Sequence, residues 1–151
     1  MINYRPAEPT EFHKVVEMAR GFHNASIYSR LEFSPGRLVD LLTKSFLSPT
    51  EARAFIAVDG DDIVGGYLAT AQRIATSDDL IAQEIFIGAR PDYYNKGVGG
   101  YLIQDFKEWA EKIGAKMAVT CSSLGVDNDR ADAFFIRHGF ERFSSEFARF
   151  I

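Results

Sequence analysis

The chain alternates between stretches where apolar residues recur every second position and stretches where they recur every third or fourth, and the changes of period mark its elements. Ile2–Arg5 predicts a short first strand, closed by Pro6 and Pro9. Thr10 opens a helical pattern with Glu11 in its first turn, and Phe12, Val15, Val16 and Ala19 fall on one face. Gly21 marks a kink or an end. The stretch 24–34 is polar and aromatic without a period. Ser34 followed by Pro35 is an N-cap with proline at the first helical position, and Leu38, Leu41, Leu42 and Phe46 form the stripe of a second helix. Ala54–Val58 and Ile63–Ala71 predict a hairpin across the turn Asp59-Gly60-Asp61-Asp62. Leu80–Ala89 reads as a longer strand ending before Pro91, and Pro91–Lys96 as a loop. From Val98 the period is helical again: Val98, Tyr101, Leu102, Phe106, Trp109, Ala110 and Ile113 share a face, with Gly114 as C-cap. Lys116–Cys121 reads as a buried strand. Asp127 or Asn128 caps a short helix running to His138, and Gly139 stops it. Phe140–Ile151 alternates loosely and predicts a final strand.

The resulting order, β-α-α-β-β-β-α-β-α-β, implies a mixed α/β (α+β) domain, with a partly parallel sheet whose first half is antiparallel. A length of 151 residues fits one domain spanning the whole chain, 1–151, and no linker or repeat divides it. The content of 46% hydrophobic and 25% charged residues is ordinary for a globular fold. Apolar runs are short, so no membrane span is expected, and the first residues lack an apolar signal core, so a cytoplasmic protein is expected. Cys121 is the one cysteine, which excludes an intrachain disulfide. A net charge of −4 argues against a nucleic-acid partner. His13, His23 and His138 are widely spaced and form no ligand motif, so no metal is expected.

The most informative stretch is Tyr94-Asn95-Lys96-Gly97-Val98-Gly99-Gly100, between a strand and an amphipathic helix. Glycine lets backbone turn tightly and approach a ligand, and the first N–H groups of a helix are unpaired and partly positive. Such a start can cradle phosphate, with Lys96 adding charge; it can equally be a glycine-rich helix start that merely packs. It is neither a Walker A loop nor a dinucleotide fingerprint, since the spacing G-x-x-x-x-G-K-S/T is absent and Leu102 stands where the third glycine of G-x-G-x-x-G belongs.

The segment from Pro91 to Gly99 also resembles the pyrophosphate loop of the GNAT N-acetyltransferases: Arg or Gln, two residues, Gly, one residue, then Gly or Ala, after a strand and a proline. Phe55–Gly66 is similar to that family's central hairpin. Asn128-Asp129-Arg130-Ala131, then Phe135 and Gly139-Phe140, is similar to its late helix. The segments Phe22–Leu47 and Ser77–Leu80 resemble GNAT proteins carried by phages and prophages. Two positions depart from the pattern: Tyr94 stands where the loop usually begins with Arg or Gln, followed by Asn95 where Gly is common, and Phe135 stands where Tyr is frequent.

The resemblance implies a GNAT fold: a central mixed, mostly antiparallel sheet of about six or seven strands with about four flanking helices. It implies transfer of an acetyl group from acetyl-CoA, the cosubstrate, directly to a primary amine of a small molecule or protein. Ile87, Gly88 and Ala89 match positions whose backbone pairs with pantetheine. Tyr94, Asn95, Lys96, Gly97, Val98 and Gly99 match the pyrophosphate loop, and Asn128 matches a cofactor contact. An open strand edge would receive the extended pantetheine arm as it would a peptide. The acceptor amine is mostly protonated at neutral pH, so a base must act, and Glu84 is the candidate for that catalytic role. Counting back from Gly97 points to Gln83 instead. Neighbouring strand residues face opposite ways, so one residue of register decides between them unless a bulge intervenes. Asp78 and Asp79 are loop alternatives that turn or capping roles also explain. Cys121, Ser122 and Ser123 could replace the missing tyrosine hydroxyl as proton donor, although turn hydrogen bonds explain the two serines and burial the thiol. His23, Tyr28, Ser29 and Arg30 either line the acceptor site or form a surface loop. Asp105, Lys107, Glu108, Glu111 and Lys112 read as a solvated helix face. The alternative to an enzyme is a CoA-binding interaction module with weak or no activity. A sheet edge near the C-terminus would also allow a homodimer.

Overall fold

A computed structural model describes residues 1–121 and 127–151. Its elements are β1 (Ile2–Pro6), α1 (Phe12–Ala25), α2 (Pro35–Leu47), β2 (Ala52–Asp59), β3 (Asp62–Gln72), β4 (Ile81–Ala89), α3 (Val98–Lys112), β5 (Met117–Val119) and α4 (Asn128–Arg137). Short 3-10 turns occupy Pro9–Glu11, Ile27–Arg30 and Pro91–Tyr93. Among the described residues the sheet is five-stranded in the order β1-β2-β3-β4-β5. The first three pairings are antiparallel, and β4 runs parallel to β5.

Alternation along β2 divides the core. Ala54, Ile56 and Val58 pack with Val15, Val16 and Leu42 of α1 and α2, while Phe55 and Ala57 pack with Leu102, Ile103 and Phe106 of α3 and Phe135 of α4. The helices thus pack through most of their apolar stripes, although Phe46 of α2 and Tyr101 of α3 are exposed. Ser34 caps α2 as expected, its hydroxyl accepting from Arg37 N–H. Asp127 caps α4 from a left-handed conformation (φ 43°), its carboxylate accepting from Arg130 N–H.

Four sequence expectations need correction. Lys116–Cys121, read as a buried strand, is strand only over Met117–Val119, and Met117 is exposed. Six or seven strands were expected, but Phe140–Ile151 forms no strand. The segment runs along the surface, exposed beyond Phe140, and is tied by an Arg142–Asp132 ion pair and by the Arg30 guanidinium 4.7 Å over the Phe150 ring. The neighbouring strand β5 has three residues, which leaves little backbone for another strand to pair with. Gly21 does not end α1, which continues to Ala25 with Phe22 packed against Phe86 of β4 (ring centroids 5.6 Å apart). Asp105 is not on a solvated face. It receives a two-pronged ion pair from Arg53 (2.7 and 2.8 Å) and the Tyr67 hydroxyl (2.6 Å), under the α3 face of the sheet. Both charged side chains are less than a quarter exposed. Asp105→Ala would leave the Arg53 charge half-buried and unpaired, so an unfolding free energy lower by about 2–3 kcal/mol is expected from urea titration at unchanged slope.

Candidate active site

The sheet opens beside β4. Pairing of β4 with β5 covers Ile81, Ala82 and Gln83 against Met117, Ala118 and Val119, and stops there. Glu84 is the next residue, at the vertex of the opening, and residues 84–89 have no β5 partner among the described residues. On its other side β4 stays paired to β3 through Ala89. Among the described residues the strand therefore has one satisfied edge and, from Glu84 on, one edge without a strand partner, which includes Ile87, Gly88 and Ala89.

A bulge sits at this vertex. Leu68 of β3 faces Phe86 and Ala69 faces Glu84, so Ile85 is the extra residue. The insertion changes which faces the side chains take. Ala82 lies on the α3 side of the sheet and Glu84 follows it there, opposite Ala69 of the same cluster. Beyond the bulge, Phe86 packs on the α1–α2 side and Ile87 and Ala89 on the α3 side. Gln83 points the other way and donates from Nε2 to the Glu84 carbonyl at 3.1 Å.

Glu84 is 4% exposed. Its Oε2 accepts the Cys121 N–H at 3.1 Å, joining the vertex of β4 to the end of β5. Burial raises the carboxyl pKa to about 8, against a smaller lowering from the Cys121 N–H. The Cys121 thiol is itself pushed up to about 11, by burial first and then by the carboxylates of Glu84 and Glu146. It is a protonated, weakly reactive thiol near neutral pH. Ser122 and Ser123 lie outside the described residues. Asp78 and Asp79 lie exposed in the loop before β4; the Asp78 carbonyl accepts from Arg73 and Asp79 N–H donates to Ser77.

The loop meets the same opening. Gly97 takes the left-handed conformation at φ 76°, with nothing within 4 Å of where a Cβ would stand. Any other residue would be strained there. The first α3 hydrogen bond runs from Tyr101 N–H to the Gly97 carbonyl at 3.3 Å, so Val98, Gly99 and Gly100 N–H precede the helical ladder. Gly99 has another task. A Cβ on Gly99 would stand 3.2 Å from the Phe134 ring, and one on Gly100 3.6 Å from the His138 ring. The missing side chain of Gly99 lets α4 lie close against the first turn of α3, whereas a Cβ on Gly100 would make only an ordinary contact. Lys96 folds its ammonium 4.0 Å over the Tyr93 ring, and Tyr93 donates its hydroxyl to Asp59 at 2.7 Å. Tyr94 is half-exposed, with the Arg130 guanidinium 4.0 Å over its ring. Asn128 begins α4 on this side.

Phe135 is buried against Phe134 and Phe140, with centroids 5.4 and 5.9 Å away. His138 ends α4 with its ring against Phe134. Its pKa is lowered by burial and then by Arg137 and Lys107. His23 lies in α1, its Nε2 bonded to the Leu31 carbonyl at 2.9 Å and its ring near Phe33, which makes it a brace for the chain after α1. Tyr28, Ser29 and Arg30 form the exposed 3-10 turn beside it. Among the described residues no group of three His, Cys, Asp or Glu is placed to hold a metal ion. No helix among them is long and apolar enough to cross a membrane.

A strand edge without a described partner, a bulge at its vertex and an unpaired helix start are the groups that an extended chain ending in phosphate would need. They fit CoA: the arm has backbone groups to pair with, and the phosphate end has a glycine-hinged cradle without a Cβ. The model of the Acetyltransferase (GNAT) family matches residues 15–140. The chain belongs to the GNAT acetyltransferase family. No curated protein sequence matches it significantly. Its fold is similar to an acetyltransferase from Trypanosoma brucei (15% identity, 100% of both chains covered, TM-score 0.74). It is similar to an aminoglycoside acetyltransferase from an uncultured soil metagenomic sample (16% identity, 100% and 99% covered, TM-score 0.74). It is also similar to the glucosamine-6-phosphate N-acetyltransferase of Arabidopsis thaliana (8% identity, 99% and 98% covered, TM-score 0.75).

Three of these contacts are not legible in the sequence: Phe134 on Gly99, His138 on Gly100 and Arg130 on Tyr94. The positions 130, 134 and 138 repeat every four residues, so a common helix face can be read from them. What that face meets cannot, because the partner lies more than thirty residues earlier in the chain.

Proposed function

We propose that this protein is a cytoplasmic acetyl-CoA-dependent N-acetyltransferase that acts by direct transfer to a primary amine. The observation that carries the reading is the parting of β4 from β5 at Glu84, with the start of α3 at Val98 packed beside the end of β4 through Gly65. In this reading the free edge at Ile87, Gly88 and Ala89 holds the pantetheine arm. The loop Tyr94–Gly99 holds the diphosphate through the N–H groups that open α3, since Tyr94 and Lys96 N–H already donate to the Pro91 and Tyr93 carbonyls, and Asn128 contacts the cofactor from α4. Acetyl-CoA, when bound, supplies a thioester whose acetyl group passes to the amine as the C–S bond breaks, leaving an amide and the CoA thiol.

Glu84 is the base. Its carboxylate takes the proton of the acceptor ammonium at the vertex, directly or through one water, before the amine attacks. A pKa near 8 suits that task near neutral pH, since a fraction is ionised and the basicity is high. The Cys121 N–H orients the carboxylate. Acidic overall charge favours a cationic acceptor, and either a small molecule or a protein amine satisfies the chemistry.

The reading of a CoA-binding module with weak transfer draws on Phe135, which leaves no hydroxyl at the position its relatives use for proton return. A thiolate is a tolerable leaving group, so this slows the step without forbidding it. Phe135→Tyr is expected to keep or raise turnover; a loss, measured in a single-turnover assay, would mean that the pocket between Phe134 and Phe140 rejects a hydroxyl.

The test of the function is calorimetric titration with acetyl-CoA, using ATP as a control for any phosphate ligand. Micromolar binding of acetyl-CoA without binding of ATP supports the reading. A folded protein that binds neither would overturn it.

A further inference from the structure

The loop is poor in usable positive charge. Its one cation, Lys96, lies back over the Tyr93 ring, so its ammonium is committed to that face. Arg130 on α4 is differently placed. Its guanidinium stacks 4.0 Å over Tyr94, a half-exposed loop residue, and no carboxylate pairs with it among the described residues. A guanidinium lying on an aromatic ring uses its flat face, and the N–H groups around its edge stay free to donate in plane. Arg130 is held there by the same face of α4 that seats Phe134 on Gly99 and His138 on Gly100, one turn apart each time. That face brings a cation from α4 over Tyr94 of the loop that leads into α3, where phosphate would lie.

We propose that Arg130, mounted on Tyr94, is the phosphate-binding cation of this site, supplied by helix α4 in place of a loop side chain. The inference rests on the acetyl-CoA reading and deepens it. Tyr94 is then a positioning residue that braces the guanidinium with its ring. The ligand chemistry is a phosphate ester, either the diphosphate of CoA or its ribose 3′-phosphate.

The test is calorimetric titration of CoA and of 3′-dephospho-CoA into the wild type, Arg130→Gln, Arg130→Lys, Tyr94→Leu and the Tyr94→Leu/Arg130→Gln double variant, each at two salt concentrations. Arg130→Gln is expected to weaken CoA about tenfold or more, with a shallower salt dependence. Arg130→Lys should recover little of this, because an ammonium lacks the planar fork. Tyr94→Leu should weaken CoA severalfold in the presence of Arg130 and have no further effect in its absence. A loss confined to CoA places Arg130 on the 3′-phosphate, and an equal loss with dephospho-CoA places it on the diphosphate; both support the proposal. Arg130→Gln binding CoA as the wild type does, in a variant with unchanged melting temperature, overturns the proposal and leaves the acetyltransferase reading standing. Absence of CoA binding by the folded wild type overturns both.

Discussion

Glu84→Gln should lower turnover by about 10³-fold while leaving CoA affinity nearly unchanged. The amide keeps the shape and can still accept the Cys121 N–H, but it cannot take a proton. The wild-type rate should rise with pH to a limb near 8, where the buried carboxyl ionises, and the variant should lack that limb. Stability supplies an independent readout. The folded-state pKa is raised from 4.5 to about 8, so between those values the native protein binds more protons than the unfolded chain. Stability attributable to this group is therefore full below pH 4.5 and is lost as pH rises through 8. The variant does not titrate there. The two proteins should melt together near pH 4 and diverge above it, with Glu84→Gln the more stable by a few kcal/mol on the order-of-magnitude scale of such shifts. Equal turnover in the two proteins would remove Glu84 from the chemistry. Parallel melting curves across that range would remove the buried carboxyl from the account of the vertex.

Gly65→Val should lower stability by about 2–3 kcal/mol and the melting temperature by roughly 5–10 °C, and weaken CoA binding with it. A Cβ at this β3 position would stand 2.8 Å from Val98 Cγ1, 3.0 Å from the Gly88 carbonyl and 3.3 Å from Ala89 Cα. Two of those atoms are β4 backbone, on the segment assigned to the pantetheine arm, and the third is the first residue of α3. Relief of the clash must move the free edge or the helix start, so stability and ligand affinity are coupled here. Gly60→Ala is the control. Its φ of 62° strains an alanine, but it lies in the open β2–β3 turn, so stability should fall with CoA affinity retained. Scanning calorimetry and CoA titration of both variants distinguish a general loss of stability from a local displacement at the site.

Helix faces and strand positions are legible in the amino-acid sequence because they depend on near neighbours. Val15, Val16 and Ala19 lie where a period of 3.6 puts them, and β2 and β3 pair across their acidic turn as a hairpin with local chemistry must. Gly97 is legible as part of a glycine loop before α3, and the structure makes it the left-handed residue of that loop. The choice between Gln83 and Glu84 is legible only as a question. A two-residue period assigns opposite faces, and a bulge at Ile85 cannot be counted from one strand alone, since it exists only relative to β3.

Gly99 and Gly100 show the same division. Their sequence context allows either a ligand cradle or close packing, and the structure gives their Cα faces to Phe134 and His138 of α4. The C-terminal segment has enough alternation to suggest a strand, yet a strand also requires a neighbour with backbone to share, and β5 is too short to offer it. Asp105 looks solvated from its helix period, and Arg53, fifty-two residues away, buries it.

What the amino-acid sequence by itself determined was every element except the expected last strand, their order, the glycine loop before α3 and, through its motifs, the family. Only the tertiary structure decided the facing of Glu84, its burial and raised pKa, the partners of the glycines and the placement of Arg130 over Tyr94. The reason is physical. Periodicity, capping and turn chemistry act over a few residues and are written locally, whereas register, desolvation and the approach of distant helices arise from many weak contacts satisfied together.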